Sequence, residues 1–260
     1  MAQAPRQHGR YDRQIVFEPL GPQGQRRLRS AGALIVGCGG LGCTLADLLA
    51  RSGVGRLRLV DDDRVQLENL HRQVLFDEAD AAAGLPKVAA AANRLRRING
   101  EVAVEPLVER FTAASAARLA EGFDLILDAS DNFPTRFVIN DLAVRDGKSW
   151  VFAGVLGGQG QVMSVLPGRP CLRCVFDSPP APCQDLTCRS SGVLPSAVAA
   201  IAAIQAGEAV KILSGRLEAV SPYLLKIDFW ANTLQRIDIL ESAARVDCPC
   251  CKRREFEYLS

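Results

Sequence analysis

The chain has 260 residues, 48% of them hydrophobic and 23% charged, which is the balance of a globular protein and excludes a mainly disordered one. Its 31 basic and 29 acidic side chains leave a formal net charge of +2, so there is no overall electrostatic footprint for nucleic acid. Residues 1–9 are polar and lack the apolar core of a signal peptide. The most apolar stretch, 193–213, is interrupted by Pro195, Ser196, Gln205, Glu208 and Lys211, which argues against a bilayer span. These features predict a flexible N-terminus over 1–9 and one continuous domain over 10–260. The expected setting is the cytoplasm, with no nucleic-acid or membrane partner. Nine cysteines in a reducing compartment point to metal ligands or reactive thiols, not to disulfides.

The predicted elements alternate along the first half. Residues 33–36 form a strand, glycines follow, and the apolar periodicity of 41–52 predicts a helix. A second strand at 57–60 ends on Asp61. A helix is expected over 87–97, and strands over 102–108 and 124–127, the last closing on Asp128. This alternation implies a parallel sheet with crossover helices, whose ligands gather beyond the carboxyl ends of the strands. The second half differs. Two strand-like runs in 151–165 surround Gly154, Gly157, Gly158 and Gly160, and a Pro/Cys-rich loop covers 167–188. An Ala-rich helix follows over 196–213, and 224–229 with 234–240 make a closing hairpin. The fold class is therefore α/β, a Rossmann-like nucleotide-binding fold with a mixed sheet continued by antiparallel strands.

Gly37-Cys-Gly-Gly-Leu-Gly42 matches G-x-G-x-x-G between a strand and a helix. Gly37, Gly39, Gly40 and Gly42 let backbone N–H groups approach phosphates at a helix N-terminus. Asp61 lies about 20 residues on, where an acid accepts from ribose hydroxyls. On this motif alone NAD would lead, and a nicotinamide-dependent oxidoreductase is the competing reading. The segment Glu68-Asn-Leu-His-Arg-Gln73 then supplies Asn69, Arg72 and Gln73, Lys87 follows, and Asp131 and Asn132 come after the strand ending at Asp128. Hydride transfer has no special need for two cations and a carboxylate there, whereas a triphosphate does. Arg and Lys neutralise charge on phosphorus, and an aspartate holds Mg²⁺ against phosphates.

Cys171-Leu-Arg-Cys174 and Cys248-Pro-Cys-Cys251 are two C-x-x-C pairs. Each pair can supply two corners of a tetrahedron, so a structural Zn²⁺ is expected. Cys250 sits inside the second pair and could compete with Cys251, which keeps the two-residue spacer. Cys38 and Cys43 flank the glycine loop as small apolar residues. Cys188 lies beside Arg189, which favours a nucleophilic thiolate, although an exposed cysteine with no task is an equal alternative.

With these motifs the chain resembles the bacterial ThiF/MoeB/HesA family, relatives of ubiquitin-activating enzymes. The marks run from Arg10 to Cys251: Arg10-Tyr-Asp-Arg-Gln14, the glycine motif, Asp61-Asp-Asp63, Asn69-Leu-His-Arg-Gln73, Pro86-Lys87, Asp128-Ala-Ser-Asp-Asn132 and the two cysteine pairs. The resemblance implies ATP, not NAD. It implies adenylation of the C-terminal glycine of a small ubiquitin-like sulfur-carrier protein ending in Gly-Gly, ThiS-like or MoaD-like, with release of pyrophosphate. Gly40 would contact the nucleotide and Asp61 the ribose. Glu68, Asn69, Arg72, Gln73 and Lys87 would surround the ATP, and Asp131 would hold Mg²⁺ with Asn132 beside it. Arg13 would reach the ATP of a partner subunit, which implies a homodimer. Cys188 would take part in a later sulfur step. That loop and Asp61-Asp-Asp63 are closer to the ThiF version, which favours thiamine over molybdopterin synthesis. A separate sulfur donor, a cysteine desulfurase or a rhodanese, is expected. A tRNA-modifying or other small-substrate adenylating enzyme is the alternative within the family.

Overall fold

The computed structural model describes residues 9–179 and 192–260. Eight strands form one sheet in the order β3-β2-β1-β4-β5-β6-β7-β8. They are β1 (Gly32–Val36), β2 (Arg56–Val60), β3 (Ala103–Leu107), β4 (Leu125–Asp128), β5 (Ser149–Leu156), β6 (Gln159–Val165), β7 (Tyr223–Asp228) and β8 (Thr233–Asp238). The first five are parallel, and β6, β7 and β8 continue the sheet antiparallel. The strand order reverses between β1 and β4, which opens a crevice beyond their carboxyl ends.

Every residue of β1 is buried. Ala33 and Ile35 enter one core and Leu34 and Val36 the other, as expected of a parallel strand covered on both faces. The helices, in chain order, are α1 (Asp12–Ile15), α2 (Gly21–Ser30), α3 (Gly40–Ser52), α4 (Glu78–Ala82), α5 (Lys87–Ile98), α6 (Ala113–Ala120), α7 (Phe133–Asp146), α8 (Pro195–Leu213) and α9 (Ile239–Ala243). Residues of α2, α3, α5 and α8 share the first core, and those of α6 and α7 share the second with four buried cysteines.

By length and composition α8 passes for a membrane span, yet half of its apolar window is buried. It packs on α3, β5 and β6. The polar residues that interrupt it are its anchors. Gln205 donates from Nε2 to the main-chain oxygens of Asp128 at 2.7 Å and Val151 at 3.1 Å. The Glu208 carboxylate accepts from the Ser164 hydroxyl at 3.0 Å and from the Ser221 N–H at 2.9 Å.

The anticipated parallel strands, their crossover helices and the closing hairpin are present. One boundary is corrected: β8 stops at Asp238, because its carboxylate accepts from the Glu241 N–H at 3.1 Å and starts α9, so residues 239 and 240 leave the strand. The helices α1, α2, α4, α6, α7 and α9 were not anticipated. Helix α6 carries a Thr112/Ser115 capping box, and Asn132 caps α7. The long loop carries a 3₁₀ turn, Leu172–Cys174, and Cys183 and Cys188 lie outside the described residues.

Candidate active site and cysteine cluster

The glycine loop leaves β1 through Gly37 at φ +97°, a backbone state that side chains resist. A Cβ on Gly37 would strike the Ala129 oxygen, and one on Gly42 would strike the Gly37 oxygen. These two glycines serve close packing. Gly39 is different, because a Cβ there would meet nothing nearer than Gln73 Nε2 at 4.0 Å. Gly39 is also the N-cap of α3, which has no side-chain cap and no acid in its first turn. The first N–H groups of α3 are therefore left without a side-chain cap, as at helix ends that bind anions.

Asp61 braces this loop from the end of β2. Its carboxylate accepts from the Cys38 N–H at 2.6 Å and the Asp63 N–H at 2.8 Å. Burial raises its pKa, and the Cys38 bond and the charge of Lys87 oppose that rise. Lys87 is itself buried, with Nζ 2.6 Å from Asp63 Oδ2. It is the first residue of α5, where the helix dipole disfavours a cation. A lysine held there against burial and dipole suits a site that receives an anion.

The segment after β2 adds amide and guanidinium groups. Asn69 Oδ1 accepts from Gln73 Nε2 at 2.6 Å, and both residues are buried. Gln73 Oε1 is buried and has no partner. Arg72 packs over Gly40, where an added Cβ would lie 3.3 Å from its Cγ. Its Nη1 is 3.2 Å from the Glu68 carbonyl oxygen and 2.8 Å from His71 Nε2. Glu68 is exposed on the 3₁₀ turn Leu67–Asn69.

Across the crevice, the loop after β4 abuts Gly37 at Ala129. Asp131 is exposed there. Asn132 accepts from the Thr135 N–H at 2.9 Å to cap α7, and its Nδ2 lies 3.3 Å from Asp131 Oδ1. The glycine loop, Asp61, Asn69, Arg72, Gln73, Lys87 and the Asp131 loop thus meet at the carboxyl edge of the sheet. Arg13 does not join them. It is exposed on α1, whose Gln14 donates to the Ser52 oxygen at 2.8 Å, and Tyr11 packs on Gly53. That is the opposite end of α3, about 18 Å from Gly40 at 1.5 Å per residue.

The second constellation is Cys171, Cys174, Cys248 and Cys251, whose sulfurs all lie within 4.8 Å of one another. Cys171 and Cys248 are 3.7 Å apart, and Cys174 and Cys251 are 3.4 Å apart. A tetrahedral Zn²⁺ with sulfur at about 2.3 Å needs sulfur–sulfur edges of roughly 3.8 Å, so the donor set fits the ion. Contact with Cys171 is the leading cause that pushes the Cys174 and Cys251 thiols up and the Cys248 thiol down. The Cys250 sulfur lies 3.3 Å from Asn140 Nδ2 and is not one of the four clustered sulfurs. Cys38 and Cys43 are buried as expected.

The sequence marks Asp63 only within Asp61-Asp-Asp63, with no role of its own, and does not single out Arg136 or Asn140. Arg136 is buried against Asp128 with Nε 3.2 Å from Oδ2. Asn140 Oδ1 accepts from the Leu172 N–H at 2.9 Å, and its Nδ2 lies 3.6 Å from Cys171 Sγ. Asn132, Arg136 and Asn140 recur every four residues on one helical stripe, the one local signal that could have marked them.

The ThiF family model matches residues 11–250. A sulfur carrier protein ThiS adenylyltransferase of Bacillus subtilis is 40% identical over 254 residues, which cover 97% of this chain and 74% of the relative. The adenylyltransferase and sulfurtransferase MOCS3 of Sus scrofa is 44% identical over 247 residues, covering 94% of this chain and 53% of the relative. The crystal structure of E. coli MccB superposes with a TM-score of 0.81 at 21% identity, covering 95% of this chain and 73% of that one, which supports the fold.

Proposed function

This chain belongs to the ThiF family, and on that premise we propose that it adenylates the C-terminal glycine of a small Gly-Gly-ended sulfur-carrier protein. The carrier carboxylate oxygen forms a bond to the α-phosphorus of ATP while the bond to the β-phosphate oxygen breaks, and pyrophosphate leaves. The observation that carries this reading is the uncapped, glycine-opened end of α3 with Arg72 and the buried Lys87 beside it. In a reaction of this kind the attacking carboxylate comes from the carrier, so the enzyme needs no side-chain nucleophile for the step. Its task is to align two anions and stabilise charge gathering on the phosphates.

Asp61 holds the ribose, and Asn69, Gln73, Arg72 and Lys87 surround the phosphates. A lone exposed carboxylate suits Mg²⁺, which is bound by one or two carboxylates together with substrate phosphates and water, and Asp131 is the residue that would hold it. Mg²⁺ held there would supply charge neutralisation to the phosphates. Cys171, Cys174, Cys248 and Cys251 would hold Zn²⁺ as a structural staple, joining residues 248–251 to the 3₁₀ turn. Arg13 acts on the ATP of a second copy in a homodimer. Cys188 serves a later sulfur step, with sulfur from a separate donor protein in the cytoplasm. The name of the Bacillus subtilis relative favours a ThiS-like carrier, and a MoaD-like carrier is the alternative.

The test is ATP–pyrophosphate exchange with each carrier class. Exchange that requires the intact Gly-Gly tail is expected, with loss in Arg72→Ala and Asp131→Asn and retention in Cys188→Ala. ATP binding without exchange in the presence of either carrier class would overturn the proposal. Tight NADH binding in place of ATP would return the oxidoreductase reading.

A further inference from the structure

The loop that carries Asp131 is held by a buried charged assembly that the adenylation chemistry does not itself need. Asp128, at the end of β4, is fully buried. Its Oδ1 accepts from both the N–H and the hydroxyl of Ser130, at 2.9 and 2.6 Å. Its Oδ2 faces Arg136 Nε at 3.2 Å. Arg136 turns back to the same loop, with Nη2 donating to the Ser130 oxygen at 3.1 Å. Ser130 is therefore gripped by its N–H, its hydroxyl and its carbonyl. On the far side, Asn132 is fixed as the cap of α7. Asp131 is the one residue between two immobilised neighbours.

Arg136 is fixed in turn. Its guanidinium lies 4.8 Å from the Phe133 ring centre and 5.2 Å from that of Phe152. It also lies against Gly154, where a Cβ would come within 3.2 Å of Nη2. The Asp128 carbonyl accepts from Gln205 of α8. Elements from both faces of the sheet thus converge on residues 128–136. A buried ion pair is a poor source of stability, because removing two charges from water offsets most of their attraction. The arrangement is better suited to fixing one geometry than to strengthening the fold.

We propose that Arg136, acting through Asp128 and Ser130, is a positioning residue that presents the Asp131 carboxylate to the divalent cation of the ATP complex. This rests on the reading of Asp131 given above. Lysine at 136 cannot reproduce the planar two-point grip on Asp128 and Ser130. A pair of apolar residues, Asp128→Leu with Arg136→Met, keeps the volume buried and removes the grip.

The experiment is a Mn²⁺ titration of the protein saturated with a non-hydrolysable ATP analogue, followed by electron paramagnetic resonance, alongside thermal melting and amide hydrogen exchange over 129–132. Arg136→Lys and the double variant are expected to bind Mn²⁺ at least fivefold more weakly, with faster exchange in the loop. The double variant is expected to melt close to the wild type and still to lose at least tenfold in pyrophosphate exchange. A merely structural Arg136 predicts the reverse, with cation affinity following melting temperature and recovering in the double variant. Wild-type Mn²⁺ affinity in either folded variant overturns the proposal. Asp131→Asn separates the two levels. If it weakens Mn²⁺ binding while the Arg136 variants do not, only the positioning role fails. If it leaves Mn²⁺ binding unchanged, the assignment of Asp131 fails and the positioning role with it.

Discussion

Arg13 and the glycine loop stand at opposite ends of α3, and that separation makes a quantitative prediction. Gln14 and Tyr11 fix α1 to Ser52 and Gly53, whereas the nucleotide-binding end of the helix begins at Gly40. The two ends are about 18 Å apart, and an extended arginine side chain spans only about 7 Å at ordinary bond lengths. Arg13 therefore serves a second copy, or it serves nothing in the reaction. It is exposed and forms no ion pair among the described residues, so Arg13→Ala should change stability by no more than about 0.5 kcal/mol. Loss of a cation that stabilises charge on a phosphorus should nonetheless cost about 10²–10³-fold in exchange, or roughly 3–4 kcal/mol. Lys87→Ala should be comparably inactive, through a residue of the same chain's own pocket. Co-expressing the two variants at equal levels gives half mixed dimers. In each mixed dimer one site carries both lesions and the other carries neither, because its Lys87 and its incoming Arg13 come from different chains. The assay is pyrophosphate exchange on the mixture, and about a quarter of wild-type activity should return. If Arg13 acted within its own chain, every site would carry one lesion and no activity would return. That result would refute the geometric argument.

Gly39 and Gly42 should separate binding from folding. Gly39→Ala places a methyl where only Gln73 is near, so melting should hold while ATP affinity, measured calorimetrically, falls at least tenfold. Gly42→Ala drives a methyl into the Gly37 carbonyl oxygen and should destabilise by about 1–3 kcal/mol or more, read from chemical denaturation. Each chain should carry one zinc, released by chelators with a lower melting temperature, and zinc content should survive Cys250→Ala but not Cys251→Ala. Asp61 gives a pH signature. Burial disfavours its ionised form, so the folded state keeps the proton to higher pH than the unfolded chain. Ionisation then lowers stability as pH rises from the ordinary aspartate range through the raised pKa. Nucleotide binding uses the ionised acceptor and changes the opposite way, so the Kd for ATP should weaken on acidification before an ordinary carboxylate would titrate. Asp61→Asn should remove that step from a calorimetric pH series.

The parts legible in the sequence are those whose cause is local. Gly37 to Gly42 must be glycine-rich because strand, turn and helix succeed one another within a few residues, and each C-x-x-C pair closes on itself before meeting the other. Helix α7 was not legible because the face it buries is partly polar: Arg136, Asn140 and Asp141 are all inside, so no apolar stripe announces it. Their partners lie elsewhere in the chain, at Asp128, at Cys171 and at Arg173, and a charged residue reads as surface until its partner is placed. The same holds for Gln205 and Glu208, which looked like interruptions of an apolar helix and are its contacts to the sheet. Arg13 is the extreme case, since its proposed target belongs to another molecule. What separates these residues from the legible ones is the origin of the constraint. A turn or a chelating pair is fixed by neighbours along the chain, whereas a buried ion or amide is fixed by groups that only folding brings near. Such groups are costly to bury unpaired, so the places where polar residues fill a core helix are where tertiary contacts, and the positioning they allow, were decided.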